Sequence, residues 1–367
     1  ILRYLHEGKI YKLDANATFS RFWDERKNIE HGFFSTMGTV QRTALILRAD
    51  DLIGAYSRRA PTLTGKDRAG LPVNPYDNAE LSVGNPTSNP NLNRSTSKQV
   101  AANLSRDFST RFPVIIKTGF SLLQQAKDVT ADNLTWTFTP PGGANGRLAK
   151  NLNLTNDVIS GRAFFNDTLK ASWVSPVKFY ELFQQHPDYF VLDQAAAYIF
   201  NVTNSRFVEE TISAAYVRGD LKFLENKLWL VGGGRFERTA DLGNGALNDI
   251  RATYRQDARG NLLRDAAGRL IPVTTNALDT AKLRYKSRGV ESRKAYQGFY
   301  PSINATYYFS ETLVVRAAFA RTIGRPSIGE ISPAITITDP DSASANRTIT
   351  AVNTGLKPWM ANNYDLS

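Results

Sequence analysis

Apolar and polar residues alternate along residues 10–24, the first long pattern in the chain. A period of two predicts a β-strand with one apolar face and one water-facing face. The stretch is also longer than the roughly five or six residues typical of strands in soluble sheets. Arg21 breaks the apolar face, which otherwise carries Tyr11, Leu13, Ala15, Ala17, Phe19 and Trp23. The opposite face carries Lys12, Asp14, Asn16, Thr18 and Ser20.

The same alternation returns in three pairs of segments, each pair joined by a short turn. We predict these hairpins at residues 99–128, 207–237 and 300–322, with turns near Thr110, Asn226 and Glu311. Alternation predicts an outward set of side chains: Val114, Ile116, Leu230, Phe236, Ile303 and Phe319. The inward set is Lys117, Arg235, Glu237, Asn304 and Arg316. A one-residue slip in pairing would exchange the two sets.

Long polar connections separate the hairpins, at residues 54–98, 130–206, 238–294 and 325–367. A compact soluble domain rarely contains several loops of this length, whereas alternating long and short connections are typical of transmembrane β-barrels. The sequence therefore predicts an all-β, antiparallel, partial transmembrane β-barrel whose long outer loops share one rim. We also expect a minor helix at residues 177–185, and small turns at residues 257–261 and 265–269.

Composition narrows the class of protein further. The most apolar stretch, residues 191–202, contains Asp193 and Gln194 and is too short to cross a bilayer as a helix. The sequence contains no cysteine, which excludes disulfides and thiolate metal sites. A net charge of +11 would suit a polyanionic partner, but the 45 Lys and Arg residues are spread along the chain. Because no nucleic-acid-binding module accompanies them, we expect no nucleic-acid partner.

Motifs for catalysis and metal binding are incomplete. The sequence has no G-x-S-x-G or H-E-x-x-H motif, and the Gly-Lys pair at 65–66 lacks the Ser or Thr that a phosphate-binding loop needs. Residues 95–98 match S-x-x-K without its companion motifs, and the three histidines are isolated. Asp339 and Asp341 offer either a Ca²⁺ site or, as the favoured interpretation, a solvated turn. We therefore predict no enzyme activity, no cofactor and no metal.

Three segments resemble landmarks of TonB-dependent outer-membrane receptors. Residues 228–239, LWLVGGGRFERT, resemble a strand with a Gly-x-Arg-Tyr-Glu core, with Phe in place of Tyr. Residues 300–333 resemble the hairpin that ends in Arg-Pro-Ser, here residues 325–327. Residues 353–366, NTGLKPWMANNYDL, are similar to the start of the following strand, although Thr and Trp replace its usual Pro and Glu.

The resemblance implies that residues 1–367 are part of one outer-membrane β-barrel domain, with the plug domain absent from this sequence. The chain opens at Ile1 inside a strand pattern and stops before the family's final strands, so we expect a piece of a longer protein. The implied function is TonB-dependent, energy-coupled uptake of a bulky nutrient, such as a siderophore, vitamin or carbohydrate, across the bacterial outer membrane. The implied partners are outer-membrane lipid, the plug, the TonB complex and the nutrient.

A passive porin or a surface adhesin barrel is the alternative function. These proteins share the strand and loop pattern but have no plug, so a plug sequence upstream of this chain would discriminate between the two readings. An enzyme embedded in a barrel would need a Ser/His/Asp cluster, which the sequence does not reveal.

Two groups of residues are candidates for the functional site. Aromatic residues in the long loops suit flat-faced ligands, because they bury a large area at low entropic cost; packing of the loops against one another is the alternative. These aromatic residues are Tyr56, Tyr76, Trp136, Tyr180, Tyr189 and Tyr254. The second group consists of Arg235, Glu237 and Arg316, which alternation directs inward. They would line the lumen, face the plug or pair with one another.

Overall fold

The computed structural model describes residues 1–38, 45–50, 62–75, 81–110, 112–156, 163–164, 169–170, 173–310, 312–339, 341 and 348–367. The chain divides into two compact units. We call Ile1–Asp24, Leu92–Thr130 and Val202–Ser367 the sheet unit, and Glu25–Asn91 and Ala131–Asn201 the inserted unit. That residues 1–367 belong to one barrel domain stays a prediction.

Within the described residues, the sheet unit contains an eleven-stranded sheet. Its strands are β1 Leu2–Glu7, β2 Tyr11–Arg26, β3 Asn91–Ser109, β4 Pro113–Ala131, β5 Arg206–Phe223, β6 Leu228–Asp249, β7 Tyr285–Tyr308, β8 Val314–Gly324, β9 Ile335–Ile337, β10 Ile349–Ala351 and β11 Trp359–Leu366. Strands β1 to β8 are hydrogen-bonded in chain order, and β11 follows β8. Pairing from β4 to β8 is antiparallel, which confirms the predicted fold class.

Short turns join the long strands at one end of the sheet, where the strands begin or end. Their described residues are 110 and 112, 224–227, and 309, 310, 312 and 313, whereas Arg111 and the predicted turn residue Glu311 lie outside the described residues. Leu224, Glu225 and Asn226 have φ angles of 54°, 57° and 71°, in the left-handed region that Asn tolerates best among them. The three predicted hairpins are confirmed. The longer connections lie at the opposite end of the strands, where Asn248 at the end of β6 pairs with Tyr285 at the start of β7.

Register pairs define two faces of the sheet from β4 to β8, because residues paired across antiparallel strands point to the same side. Phe236 pairs with Phe299 on one side, which we call the apolar face. Arg235 pairs with Tyr300 on the other, which we call the polar face. The apolar face also carries Val114, Ile116, Leu230, Ile303 and Phe319. The polar face also carries Lys117, Glu237, Asn304 and Arg316, so the two predicted sets lie on opposite faces.

The extent of the long connections was predicted wrongly. The connection expected at residues 238–294 is shorter, because β6 continues to Asp249 and β7 begins at Tyr285. Beyond Phe236, Arg238 and Asn244 interrupt the apolar face of β6, so the alternation is broken although the backbone ladder continues. In the same way, β3 begins before the expected residue 99, and β9 and β10 lie in the segment expected to be loop. β11 lies within residues 353–366, where the resemblance implied the start of the next strand.

The inserted unit has its own hydrophobic core. Eight buried side chains form it: Phe34, Val83, Trp136, Phe138, Ala149, Leu154, Phe179 and Phe190. The described strands of this unit are Ile46–Asp50, Thr62–Lys66, Pro72–Val73, Thr87–Ser88, Leu134–Phe138, Thr155–Asn156, Ala163–Phe164, Leu169–Lys170, Trp173–Val174 and Phe190–Leu192. The helices are Gly143–Gly146, Pro176–Gln185 and Gln194–Asn204.

The helix Pro176–Gln185 confirms the minor helix expected from the sequence. Ser175 precedes it and accepts a hydrogen bond from the N–H of Lys178 at 3.2 Å, while Pro176 occupies the first turn. Phe179 on its inner face is fully buried. None of the helices in the described part of the chain has the length and hydropathy required to span a bilayer.

Candidate functional site

The polar face of β5, β6 and β7 carries rows of aromatic and charged side chains. In one row, Tyr216, Arg235 and Tyr300 stand side by side across the three strands. In the next row toward the short turns, Arg218 stands opposite Gly233. Because neighbouring strands lie about 4.8 Å apart, these side chains form one continuous patch.

Each arginine is held by an acidic residue two positions further along its strand, which is the spacing that keeps both on one face. Arg218 Nε lies 2.7 Å from Asp220 Oδ1, and Arg235 Nε lies 2.9 Å from Glu237 Oε2. The side chains of Asp220 and Glu237 are only 9% and 6% exposed, whereas those of Arg218 and Arg235 are 43% and 41% exposed. The carboxylates are therefore buried against the sheet, and the guanidinium groups are exposed on the polar face.

Glu237 also anchors a second part of the chain. Its Oε1 contacts Nη2 of Arg325, and Nε of Arg325 donates a hydrogen bond to Thr239 Oγ1 at 3.3 Å. The side chain of Arg325 is 25% exposed, and Thr239 is fully buried. The strand with the Gly-x-Arg-Tyr-Glu-like core and the Arg-Pro-Ser segment, identified separately in the sequence, therefore meet at this carboxylate.

The chain that follows β8 crosses the polar face to reach β5 and β6. We call residues 325–333 the strap. A Cβ atom on Gly243 would overlap the carbonyl oxygen of Ile331, and one on Gly245 would overlap the carbonyl oxygen of Pro333. Both glycines lie on the polar face, two residues apart, and they admit the backbone of the strap where side chains would exclude it.

The strap continues into a two-stranded extension. β9 runs parallel to β6, with Leu247 opposite Ile335, and β10 returns antiparallel to β9. After β10, the hydroxyl of Thr354 lies 2.7 Å from the hydroxyl of Ser292 on β7. Ser292 pairs with Gly243 and therefore belongs to the polar face. The strap before β9 and the segment after β10, which both belong to the connection between β8 and β11, thus lie against this face.

Two small turns stand in the connection between β6 and β7. Asp257 Oδ1 accepts hydrogen bonds from the N–H groups of Arg259 at 2.8 Å and Asn261 at 2.9 Å. Asp265 Oδ1 accepts from the N–H of Arg269 at 2.9 Å, which holds the pKa of Asp265 below its ordinary value. The side-chain amide of Asn261 lowers the pKa of Asp257 in the same way. The two turns expected from the sequence are confirmed.

The pair Asp339 and Asp341 forms a turn held by protein groups. Asp341 binds Arg264, whose Nη1 lies 3.0 Å from Oδ2, and its N–H donates to Asp339 Oδ1 at 2.9 Å. The hydroxyl of Tyr254 lies 3.4 Å from Asp339 Oδ2. Burial, and then the charge of Asp339, raises the pKa of Tyr254. Among the described residues, no cluster of three or more potential metal ligands occurs.

The aromatic candidates occupy different environments. Trp136 is 6% exposed and packs edge-on against Phe34, with ring centroids 5.3 Å apart, so its observed contacts are those of a core residue. Tyr180 is partly buried beside the same core. Tyr189 stacks on His186 with centroids 4.6 Å apart and an angle of 5° between the rings. Tyr56 and Tyr76 lie outside the described residues.

Sequence reasoning did not identify every member of the polar patch. Arg316 lies on the polar face opposite Thr306, several residues from the Arg235–Glu237 pair. Arg218 and Asp220 were missed, although their Arg-x-Asp spacing repeats the Arg-x-Glu spacing at 235–237. The contact of Arg325 with Glu237 depends on a chain reversal that no local pattern indicates.

Comparisons with known proteins give three findings. A family model described as TonB dependent receptor-like, beta-barrel matches residues 39–367. The crystal structure of the ferric-catecholate import receptor Fiu from E. coli K12, in its closed form, is similar with a TM-score of 0.41 and 12% sequence identity. That match covers 99% of this chain and 36% of the Fiu chain, so this chain spans about a third of that receptor. Comparison with the curated proteins gives no match.

Proposed function

We propose, because this chain belongs to the TonB-dependent receptor-like β-barrel family, that it forms part of the wall of an outer-membrane transporter. The transporter would take up a bulky nutrient, such as a siderophore, vitamin or carbohydrate, with energy delivered through TonB. The observation that carries this proposal is the two-faced sheet of long strands, apolar on one side and charged on the other.

The apolar face is about as long, measured along the strands, as the hydrocarbon core of a bilayer is thick. Next to the short turns it stays apolar for about nine residues in β6, from Leu228 to Phe236, close to the ~9–11 residues that a tilted strand needs to cross a bilayer. Arg238 and Gln297, which pair with each other, mark the end of this band. In β8 the band is shorter and consists of Val315, Ala317 and Phe319, because Arg321 follows on the same face. Phe236 is 47% and Phe299 57% exposed. An exposed apolar surface of this size is typical of membrane contact, and we infer that it faces lipid.

The polar face would then bound the passage. Its paired arginines and carboxylates suit a wet lumen or the surface of a plug domain better than lipid, where an unpaired charge at the midplane costs about 2–4 kcal/mol. We propose that the plug of the same protein and, through it, the TonB complex are the protein partners. A transport role needs no catalytic group, and we propose that the protein is a transporter rather than an enzyme.

We propose that the loops at the end of the strands opposite the short turns capture the ligand. Tyr254 is the aromatic candidate there that belongs to the sheet unit, and its hydroxyl is already oriented by Asp339. Tyr180 and Tyr189 belong to the inserted unit and remain candidates for contact with a flat-faced nutrient. Tyr56 and Tyr76 stay predictions.

Uptake measurements with and without TonB test the proposal. The gene encoding this chain is deleted in its host, and growth is compared on a panel of iron complexes, vitamins and oligosaccharides supplied at limiting concentration. We expect one class of nutrient to require both this gene and functional TonB. A passive porin would leave uptake dependent on the gene but independent of TonB, and an adhesin would leave uptake unchanged; either result contradicts the proposal.

A further inference from the structure

A depression of about 200 Å³ lies in the polar face between β5, β6 and β7. Its lining includes Tyr216, Arg218, Gly233, Arg235, Tyr300 and Ser302. We call it the glycine pocket, because Gly233 leaves a gap where the neighbouring positions carry side chains. In its row, Gly233 stands between Arg218 on β5 and Ser302 on β7.

The pocket is built to stay open. A Cβ atom on Gly233 would overlap the carbonyl oxygen of Val217 and lie 2.8 Å from Cα of Arg218, so a larger residue cannot fill the gap without moving β5. Tyr216 is fixed on one side, because its hydroxyl donates to Asn103 Oδ1 at 2.9 Å. Tyr300 on the other side is 9% exposed. Walls held in this way bind a ligand without a large cost in side-chain ordering.

The charges around the pocket do not balance. Among the residues that the structure describes here, the basic groups are Lys117, Arg218 and Arg235, and the acidic groups are Asp220 and Glu237. Arg325 contacts Glu237 and also lies near the carboxylate of Glu210, so it is not counted as excess positive charge. Both carboxylates are buried against the wall, so the exposed surface of the pocket is positive. Lys117 also stands directly opposite Arg218, and like charges in directly opposed positions destabilise a sheet unless a counter-charge is shared.

We propose that the glycine pocket binds an anionic group, either a carboxylate or a phosphate. The guanidinium groups of Arg218 and Arg235 would donate charge-assisted hydrogen bonds to it from both sides of Gly233, and the hydroxyl of Ser302 can supply another donor. The anionic group belongs either to an acidic nutrient in transit or to an acidic side chain of polypeptide that fills the lumen. This inference rests on the proposed function only in taking the polar face as the wall of the passage.

Calorimetric titration with inorganic phosphate tests the pocket without knowledge of the nutrient. The natural gene product that carries this sequence is purified in detergent, and phosphate is exchanged against chloride at constant ionic strength. Arg235→Gln should weaken phosphate binding about tenfold, as loss of a charge-assisted hydrogen bond would. Glu237 keeps its contact with Arg325 in this variant. Lys117→Gln, which removes positive charge without stripping a buried carboxylate of its partner, should also weaken binding.

Arg238→Gln is the matched control. It removes the same charge from the adjacent part of β6, but on the apolar face, and should leave phosphate binding unchanged. If lumenal polypeptide already fills the pocket, wild-type protein will not bind phosphate, and Arg235→Gln but not Arg238→Gln will increase trypsin cleavage of that polypeptide. Either pattern supports the anion site and identifies its source. Equal behaviour of Arg235→Gln and Arg238→Gln in both assays overturns it, whether or not uptake depends on TonB.

Discussion

Glu237→Gln should release the strap from the polar face. Glu237 is 6% exposed and contacts both Arg235 and Arg325, whose side chains are 41% and 25% exposed. Breaking a fully buried ion pair costs about 3–5 kcal/mol. Because water reaches both arginines, we discount that range and expect about 2 kcal/mol for the free energy that holds the strap. That loss corresponds to a roughly thirtyfold larger population of the released strap.

Hydrogen exchange measures this population directly, because protected amides exchange through local opening. Amides of the strap and of β9 should exchange about thirtyfold faster in Glu237→Gln than in wild type, while amides in the middle of β5 should not change. Glu291→Gln is the control, since it removes a carboxylate whose side chain is 48% exposed and whose ion-pair partner is Arg293. Strap protection within about threefold of wild type in Glu237→Gln would refute the anchoring role of this carboxylate.

Three further predictions concern the strap, the chain after β10 and a turn in the connection between β6 and β7. Gly245→Ala should displace the strap and expose it to protease, whereas Gly232→Ala, whose Cβ would lie 3.6 Å from Cγ1 of Ile303, should not; equal cleavage of the two variants would contradict the role of Gly245 in admitting the strap. Replacing Ser292 and Thr354 together by Cys should give a disulfide visible as a reducible gel shift, because their hydroxyl oxygens lie 2.7 Å apart and the chain has no other cysteine; each single variant is the control, and no shift would contradict this contact. The pKa of Asp265 is lowered in the folded protein, so its turn should be fully stabilised above the ordinary carboxyl pKa of about 3.9 and should loosen as pH falls through the lower folded pKa. Asp265→Asn should abolish this pH dependence of the amide NMR shifts in the turn. If the pH-dependent transition persists in the variant, it belongs to another group and the prediction is wrong.

The sequence was sufficient to predict the hairpins and the two faces of the sheet. Both depend on local information, because a strand's period of two and a short turn between strands are visible within about twenty residues. The facing of Phe236 and Glu237 follows from their adjacent positions alone. The ends of the long strands could not be predicted, since the backbone pairing of β6 and β7 continues past Arg238, where a charged residue interrupts the apolar face.

The strap and the inserted unit depend on contacts between distant positions. Gly243 and Gly245 indicate a weak strand when they are considered alone, and only the structure identifies them as the place where Ile331 and Pro333 approach. The core of the inserted unit draws its side chains from two separate segments, residues 25–91 and 131–201. Each segment contains too few periodic apolar positions to reveal a core by itself.

The parallel pairing of β9 with β6 has a consequence for the order of folding. Leu247 and Ile335 are far apart in sequence, and closing so long a loop costs entropy before any contact compensates it. Ile331 and Pro333 also pack against Gly243 and Gly245, and this surface does not form until β6 has paired with β5 and β7. The strap therefore settles last, onto a sheet that is already assembled. Until the strap docks, the polar face of β5 and β6 near Gly243 and Gly245 would remain uncovered.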